Sequence, residues 1–227
     1  MRLRAYFSAV MLEQGAVDGL VTGLTTGYAD AVRPALEVIH TRAGKRAAGV
    51  YIVVTKNDFK FFADCTVNID PNAEELAEIA LTTADLARYF DVTPHVAMLS
   101  YSSFGSAEGS SPQKVREATE IARQRRPELE IDGEIQVTPA LNEETRVPEF
   151  PFSKLKENAN VFVFPNLDAA NIAYQLLEAM GGAEVIGPVL LGMKKPVNVL
   201  QMGTSVQSIV NLAAITALRA QGDEFLF

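Results

Sequence analysis

The segment NVFVFPNLDAANIAYQLLEAMGG, residues 160–182, contains the clearest pairing of a strand with a helix in this chain of 227 residues. Its first part, residues 161–164, is a short apolar run, which predicts a buried strand. The region 168–180 then has the pattern of a helix, and Gly181-Gly182 is typical of a helix end. The segment therefore predicts a strand that leads directly into a helix.

The same alternation continues on both sides of this segment. Towards the N-terminus, the sequence predicts strands over 96–100 and 131–137, helices over 113–125 and near Pro139, and a loop over 145–151. Towards the C-terminus, it predicts a strand over 196–200 and a helix over 205–220. Strands that alternate with helices predict an α/β fold with a mainly parallel sheet.

The first 90 residues predict a hairpin followed by a long helix. Two β-rich runs, residues 49–55 and 59–65, flank the turn Lys56-Asn57-Asp58 and are typical of a hairpin. A helix is predicted up to about Phe90, with Asp70 or Asn72 as its N-cap. The remaining predicted elements are helices over 3–14 and 28–39 and a strand over 17–21.

The composition is that of an acidic globular chain. Apolar residues make up 48%, charged residues 21%, and the formal net charge is −8. An acidic chain repels nucleic acids and anionic membranes unless it has a local basic patch. The one short basic cluster, Arg123, Arg125 and Arg126, lies at the end of a predicted helix, where cations complement the helix dipole. We therefore expect neither a nucleic acid nor a membrane as partner.

The cysteine and histidine content argues against a metal site. Cys65 is the single cysteine, and His40 and His95 are far apart and lack metal-binding spacing. The apolar runs are shorter than the roughly 20 residues that a membrane-spanning helix needs. The N-terminus also lacks the cleavage site of a signal peptide. We expect a cytoplasmic protein without a metal.

Two junctions between a strand and a helix contain residues suited to binding an anion, because ligands of α/β sheets bind at the carboxyl ends of strands. Hydroxyls and backbone N–H groups are the donors that such junctions offer. The first junction contains Ser102, Ser103, Phe104, Gly105 and Ser106, and the second contains Gly203, Thr204 and Ser205. The alternatives are a flexible polar loop and a helix cap without a ligand.

Other reactive residues have simpler interpretations. Asp64 and Asp70 lie in a predicted loop, where acidic residues are usually solvated or cap a helix. Cys65 has no cation beside it in the sequence and is interpreted as a small buried apolar residue. His95, at the start of a predicted strand, is interpreted as a surface residue. The residues alone thus predict an α/β fold with two candidate anion sites.

The order of several segments resembles the phosphotransacetylase (phosphate acetyl/butyryl transferase) family. The segments that carry the resemblance are VDGLVTG at 17–23, VRPAL at 32–36, FADCTVN at 62–68, AEELAEIA at 73–80, and the stretches 96–106, 114–118, 131–134, 159–165 and 187–190. Together they cover essentially the whole chain. Active members usually have lysine at the position of Phe104. In having phenylalanine there, the chain resembles the phosphotransacetylase-like domain of hybrid NADP-dependent malic enzymes.

The resemblance implies a three-layer architecture of two α/β subdomains, similar to that of isocitrate and isopropylmalate dehydrogenases. Residues 1–67 with 200–227 would form the remainder of the first subdomain, and residues 68–199 would form the second. Because family members are usually longer, we expect about the first third of the family domain to be absent and the first subdomain to be incomplete.

The family motif at the second junction is substituted. Active members usually have serine, arginine and aspartate at the positions of Gln201, Met202 and Ser208, and the aspartate is proposed as the base toward the CoA thiol. Methionine cannot donate the charge-assisted bonds of arginine. Loss of such a contact typically lowers a rate roughly 10²- to 10³-fold. No residue is therefore assigned as catalytic.

This departure favours a catalytically impaired domain that binds acetyl-CoA or CoA as a regulator. Its partners would be a malic enzyme domain of the same parent chain, which would be the oxidoreductase, and further copies in a homo-oligomer. No covalently bound cofactor is expected.

Two alternatives remain open. The chain is an active phosphate acetyltransferase, which converts acetyl-CoA and phosphate to acetyl phosphate and CoA, if Ser205 and Lys194 or Lys195 replace the missing groups. It is a structural oligomerisation domain if the inherited cleft binds nothing.

Overall fold

A computed structural model describes residues 2–56 and 58–222 of the chain. Its main sheet has six strands in the order β5-β4-β6-β3-β2-β7. The strands are β2 (Ala48–Val54), β3 (Phe59–Ala63), β4 (His95–Leu99), β5 (Glu130–Ile135), β6 (Val161–Val163) and β7 (Glu184–Leu191). The four strands from β5 to β3 are parallel, whereas β2 is antiparallel to both β3 and β7. The predicted α/β fold with a mainly parallel sheet is confirmed.

Helices cover both faces of this sheet, because successive strand residues point to opposite faces. Val96 and Met98 of β4 join one core with α3 and α4, while Ala97 and Leu99 join the other with α5 and α7. The helices are α3 (Ala73–Tyr89), α4 (Ser110–Arg125), α5 (Val137–Leu141), α6 (Glu143–Glu149) and α7 (Leu167–Gly181). The result is a three-layer sandwich.

A second, smaller sheet joins the two ends of the chain. Its parallel strands are β1 (Leu20–Gly23) and β8 (Val197–Leu200), which pair in register. The helices beside it are α1 (Arg2–Glu13), α2 (Tyr28–Pro34), which continues as a π-helical turn (Ala35–Ile39), and α8 (Val206–Gln221). The turn between β8 and α8 thus lies beside both sheets, since α8 also packs on the main core through Leu212 and Ile215.

Most predicted elements agree with the structure, with three corrections. Strand β7 is not among the predicted strands, because its Gly187-Pro188 pair interrupts an otherwise apolar run. The predicted loop over 145–151 is wrong in part, because α6 covers Glu143–Glu149 and tolerates Pro148 in its last turn. Strand β1 begins at Leu20 rather than at residue 17.

The predicted hairpin is confirmed by the antiparallel pairing of β2 with β3, and Asn72 is the N-cap of α3. Asn57 of the predicted turn and residues 223–227 of the predicted first subdomain lie outside the described residues. The division into two subdomains stays a prediction. Among the described helices, none has the length and apolar character required to cross a membrane.

Candidate functional site

The loop after β4 folds around a carboxylate of the chain itself. Glu134, a fully buried residue of β5, accepts hydrogen bonds from the Gly105 N–H at 2.7 Å and from Ser102 Oγ at 3.1 Å. Arg116 of α4 donates to both oxygens of the same carboxylate, at 3.0 and 2.9 Å. The parallel pairing of β4 with β5 brings Glu134 beneath the loop.

These contacts change the interpretation of the first predicted anion site. Burial favours the neutral acid, but the Arg116 guanidinium and the Gly105 N–H outweigh it and lower the pKa of Glu134 below its ordinary value. The loop therefore already binds an anion. Ser102 and Ser103 are buried, and the Ser103 Oγ accepts from the Gln136 N–H at 3.0 Å.

Phe104 stabilises this loop from outside. Its backbone is left-handed, with φ of 49°, and its N–H donates to the Glu134 carbonyl at 2.9 Å. Its ring packs against Phe150 and Phe152, with centroid distances of 5.0 and 5.1 Å. The exposed part of the loop is thus limited to Gly105 and Ser106.

The second predicted junction, between β8 and α8, has free space in front of it. Ser205 caps α8, because its Oγ accepts from the Ser208 N–H at 3.1 Å. The Ser205 and Ser208 hydroxyls lie 3.0 Å apart, and Thr204 Oγ1 donates to the Gln201 carbonyl at 2.7 Å. Gly203 has a φ of 85°, a conformation that glycine adopts without strain.

A pocket of about 320 Å³ opens at this junction. Four segments form its walls: the β8–α8 turn, one face of α7, and the strands β2 and β7. The lining residues are Tyr51, Tyr174, Gln175, Glu178, Val185, Gly187, Gln201, Met202, Gly203, Thr204, Ser205 and Ser208. We call this space the α8 pocket. It contains all three substituted family positions, Gln201, Met202 and Ser208.

Two tyrosines form the buried floor of the α8 pocket. The rings of Tyr51 and Tyr174 lie 4.3 Å apart between centroids, and both side chains are almost fully buried. Burial raises the pKa of Tyr51 far above its ordinary value, and the neighbouring Tyr174 adds to the effect. Tyr51 is therefore a neutral hydroxyl at physiological pH.

A second pocket of about 350 Å³ shares Gln201 with the first. It is lined by Tyr28, Cys65, Thr66, Leu167, Asp168, Asn171, Ile172 and Gln201. Thr66 Oγ1 donates to Tyr28 Oη at 3.1 Å, and burial raises the pKa of Tyr28. Gln201 thus contributes to the lining of two adjoining pockets.

Asp64 does not face solvent but holds the backbone of Thr66, which lines this second pocket. It is buried, and one of its oxygens accepts from the N–H groups of Gly49 and Thr66, both at 2.9 Å. Burial raises its pKa, against the effect of these hydrogen bonds. The predicted solvated or capping role of Asp64 is therefore wrong, whereas Asp70 is exposed and pairs with Lys114.

The two predicted junctions do not share a pocket wall. The lining of the α8 pocket includes Gly203, Thr204 and Ser205 but none of the residues 102–106. Lys195 is also remote, because its Nζ donates to the carbonyls of Leu12 and Glu13 at 2.8 and 2.5 Å. Lys194 and Lys195 precede β8, whereas the pocket follows it, and the strand spans roughly 13 Å.

The other reactive residues lie in structural positions. Cys65 is fully buried, as predicted. His95 begins β4 and its Nδ1 lies 2.8 Å from a Glu130 oxygen, at the opposite edge of the sheet from the loops that follow the parallel strands. The basic cluster is neutralised by acidic neighbours, such as Asp85, which pairs with Arg126. Within the described residues, no group of acidic, histidine and cysteine side chains is arranged to hold a metal ion.

Sequence reasoning missed Tyr51, Tyr174 and Glu178 as pocket residues. They belong to β2 and α7, two elements that only the folded structure brings together, so no local motif indicates them. The one local signal was helical spacing, which places Tyr174 and Glu178 on the same face of α7.

Comparison with known proteins gives a consistent result. Residues 1–217 match the family described as phosphate acetyl/butaryl transferase. A phosphate acetyltransferase of Bacillus subtilis is 44% identical over 216 residues, which are 95% of this chain and 67% of that protein. Its counterpart from Clostridium acetobutylicum is 42% identical over 224 residues, again with 95% of this chain covered and 67% of that protein.

A solved structure agrees with these sequence relatives. The crystal structure of a phosphotransacetylase from Streptococcus pyogenes superposes with a TM-score of 0.90 at 45% identity, covering 95% of this chain and 66% of that chain. The chain thus spans about two thirds of the length of these relatives.

These relatives correct one interpretation of the sequence. They align along nearly the whole chain and are named phosphate acetyltransferases, and they give no support to a malic enzyme domain as parent or partner. The interpretation as an impaired regulatory domain of a malic enzyme is therefore wrong. Its weakness is physical: substitutions at 201, 202 and 208 remove three side chains, but the helix N-terminus and its neighbouring hydroxyls remain.

Proposed function

Because this chain belongs to the phosphate acetyl/butyryl transferase family, we propose that it is a phosphate acetyltransferase. It transfers the acetyl group of acetyl-CoA to inorganic phosphate, giving acetyl phosphate and CoA, and it catalyses the reverse reaction. Acetyl-CoA and CoA are substrates in this proposal, and no further cofactor takes part.

The observation that carries the proposal is the α8 pocket. Thr204, Ser205 and Ser208 bring three hydroxyls to the N-terminus of a 16-residue helix, beside the left-handed Gly203. The first N–H groups of a helix and its dipole favour an anion. We place the phosphoryl group here, bound by Gly203, Thr204 and Ser205.

The transfer itself requires a nucleophile and a stabilised carbonyl oxygen. In the direction of acetyl phosphate, a phosphate oxygen attacks the thioester carbonyl carbon, and the C–S bond then breaks to release CoA. Donors aimed at the developing negative charge lower the barrier of such a step. Gln201, between the two pockets, has an amide that can supply one such donor.

The loop of residues 102–106 has a narrower part in this proposal. Ser102, Ser103 and Phe104 hold the loop on Glu134, while Gly105 and Ser106 remain exposed for contact with the CoA moiety. The homo-oligomeric state and the cytoplasmic location expected from the sequence stay predictions.

The direct test measures phosphate-dependent release of CoA from acetyl-CoA by the purified chain. Free thiol and acetyl phosphate should appear in equal amounts, and both should disappear when phosphate is omitted. Thr204→Val should raise the KM for phosphate, because it removes the hydroxyl that ties the Gly203–Ser205 turn to the Gln201 carbonyl. The half-buried Thr145→Val on α6, away from the pocket, should behave like the wild type. Absence of CoA release at any phosphate concentration would contradict the proposal and favour a purely structural domain.

A further inference from the structure

The α8 pocket contains one acidic side chain among the residues that line it, Glu178. The lining has neither histidine, lysine nor arginine. Glu178 lies on α7, one turn after the pocket residue Tyr174, so both point to the same side of the helix. From there it faces the space in front of Thr204 and Ser205.

Glu178 has no structural partner that would explain its position. The described residues form no ion pair and no side-chain hydrogen bond with it, and it is exposed to solvent. Most exposed glutamates are simply solvated, but this one lines a half-open polar pocket that also contains a helix N-terminus. Its carboxylate is therefore free to accept a proton from a bound substrate.

The other lining groups are unsuitable as a base. Burial keeps the Tyr51 hydroxyl neutral, as described above. The Ser205 hydroxyl is committed to capping α8 and contacts the Ser208 hydroxyl at 3.0 Å. Neutral amides such as Gln201 are not bases. Ser208, at the family position of the aspartate, likewise cannot hold the proton.

We propose that the Glu178 carboxylate is the general base that takes the thiol proton of CoA when acetyl phosphate is the acetyl donor. This inference rests on the proposed function. The CoA sulfur attacks the carbonyl carbon and forms the thioester C–S bond, while the thiol proton passes to Glu178. The bond between that carbon and the phosphate oxygen breaks, phosphate leaves with the electron pair, and the proton passes from Glu178 to phosphate.

Glu178→Gln tests the assignment, because glutamine keeps the size of the side chain and removes its basicity. We expect kcat for acetyl-CoA formation to fall by about 10²- to 10⁴-fold, the usual contribution of a general base. The KM for acetyl phosphate should change little, since the phosphoryl site lies at Gly203–Ser205. The matched control is Glu117→Gln, an exposed glutamate on α4 without a partner among the described residues, which should leave kcat unchanged.

The pH profile separates a base from a merely structural residue. An alkyl thiol has a pKa of about 8.5, so its thiolate fraction rises about tenfold per pH unit below that value. The kcat of Glu178→Gln should rise in parallel between pH 6.5 and 8.5, whereas the wild-type kcat should vary little. A defect equal at every pH would overturn the assignment.

The outcomes also separate this inference from the proposed function. Wild-type activity with a normal Glu178→Gln kcat would overturn the role of Glu178 and leave the transferase proposal standing. Absence of activity in the wild-type chain would overturn both.

Discussion

The Glu134 carboxylate offers the most quantitative test of the structure. Replacement by glutamine keeps the shape of the side chain but leaves one acceptor oxygen in place of two. The new amide also directs N–H groups at the Arg116 guanidinium, which itself has only donors. With the amide oxygen in the Oε1 position, the Gly105 and Ser102 donors keep an acceptor, but it is neutral, and the Arg116 Nε–H faces the new NH₂ group.

The expected cost follows from the geometry. A hydrogen bond to a charged group contributes about 1.5–3 kcal/mol and a neutral one about 0.5–1.5 kcal/mol, so the Gly105 and Ser102 bonds should each weaken by about 1 kcal/mol. Arg116 contributes less, because about half of its side chain (51%) is exposed and it regains water. We expect Glu134→Gln to lower the free energy of unfolding by about 2–4 kcal/mol at pH 7.

The effect should depend on pH in a defined direction. Burial opposes ionisation of Glu134, but Arg116 and the Gly105 N–H outweigh it, so the pKa of the folded protein is lowered. A group with a lowered folded pKa stabilises the protein above its unfolded pKa, about 4.3 for glutamate, and the stabilisation is lost as the pH falls through the folded pKa. The difference between wild type and variant should therefore be largest at pH 7 and shrink below pH 4.

Urea unfolding at several pH values measures both quantities. Glu117→Gln removes an exposed carboxylate from α4, the helix that also carries Arg116, and should change the unfolding free energy by less than about 0.5 kcal/mol. A Glu134→Gln protein as stable as the wild type at pH 7 would refute the reasoning. So would a loss that stays constant from pH 7 to pH 3.

Further predictions concern the stability of the scaffold, each measured by urea unfolding. Asn72→Ala should cost about 1 kcal/mol, because Asn72 and Glu75 form a reciprocal capping box; an unchanged midpoint would contradict it. Gly49→Ala should cost about 1–3 kcal/mol, because the new Cβ would lie 1.8 Å from Thr66 Oγ1, and adding Thr66→Ala should restore part of the loss. Arg219→Met should leave stability unchanged or raise it by up to about 2 kcal/mol. Burial lowers the Arg219 pKa to about 10, and two of the guanidinium nitrogens lack hydrogen-bond partners. A loss of stability above about 2 kcal/mol would argue against this expectation.

The type and order of most elements follow from the sequence, because they depend on neighbours within a few residues. The strand and helix of residues 160–182 have the predicted order, and the left-handed Gly182 ends the helix as expected. Ser205 caps α8 as its residue type predicts. The family could also be inferred from the sequence, because its segments recur in order along the chain.

Local patterns fail where a choice depends on distant packing. Phe7 and Val10 have the spacing of a buried helical face, yet they are exposed, and Ala9 and Leu12 enter the core instead. The neighbouring helices and β8 leave room only for this narrower face of α1. Spacing identifies the helix, but it does not specify which face the rest of the fold covers.

The candidate site shows the same division most clearly. The hydroxyls and glycines of both junctions are visible in the sequence, and so are the substitutions at Gln201, Met202 and Ser208. The sequence does not show that Glu134 fills the first junction, because strand pairing joins residues about thirty positions apart. Nor does it show that Glu178 faces the second, because the α8 pocket exists only where α7, β2, β7 and the β8–α8 turn converge. Local chemistry therefore determined which groups are available, and the tertiary structure decided which of them meet, because contacts between distant segments are set by packing of the whole sheet.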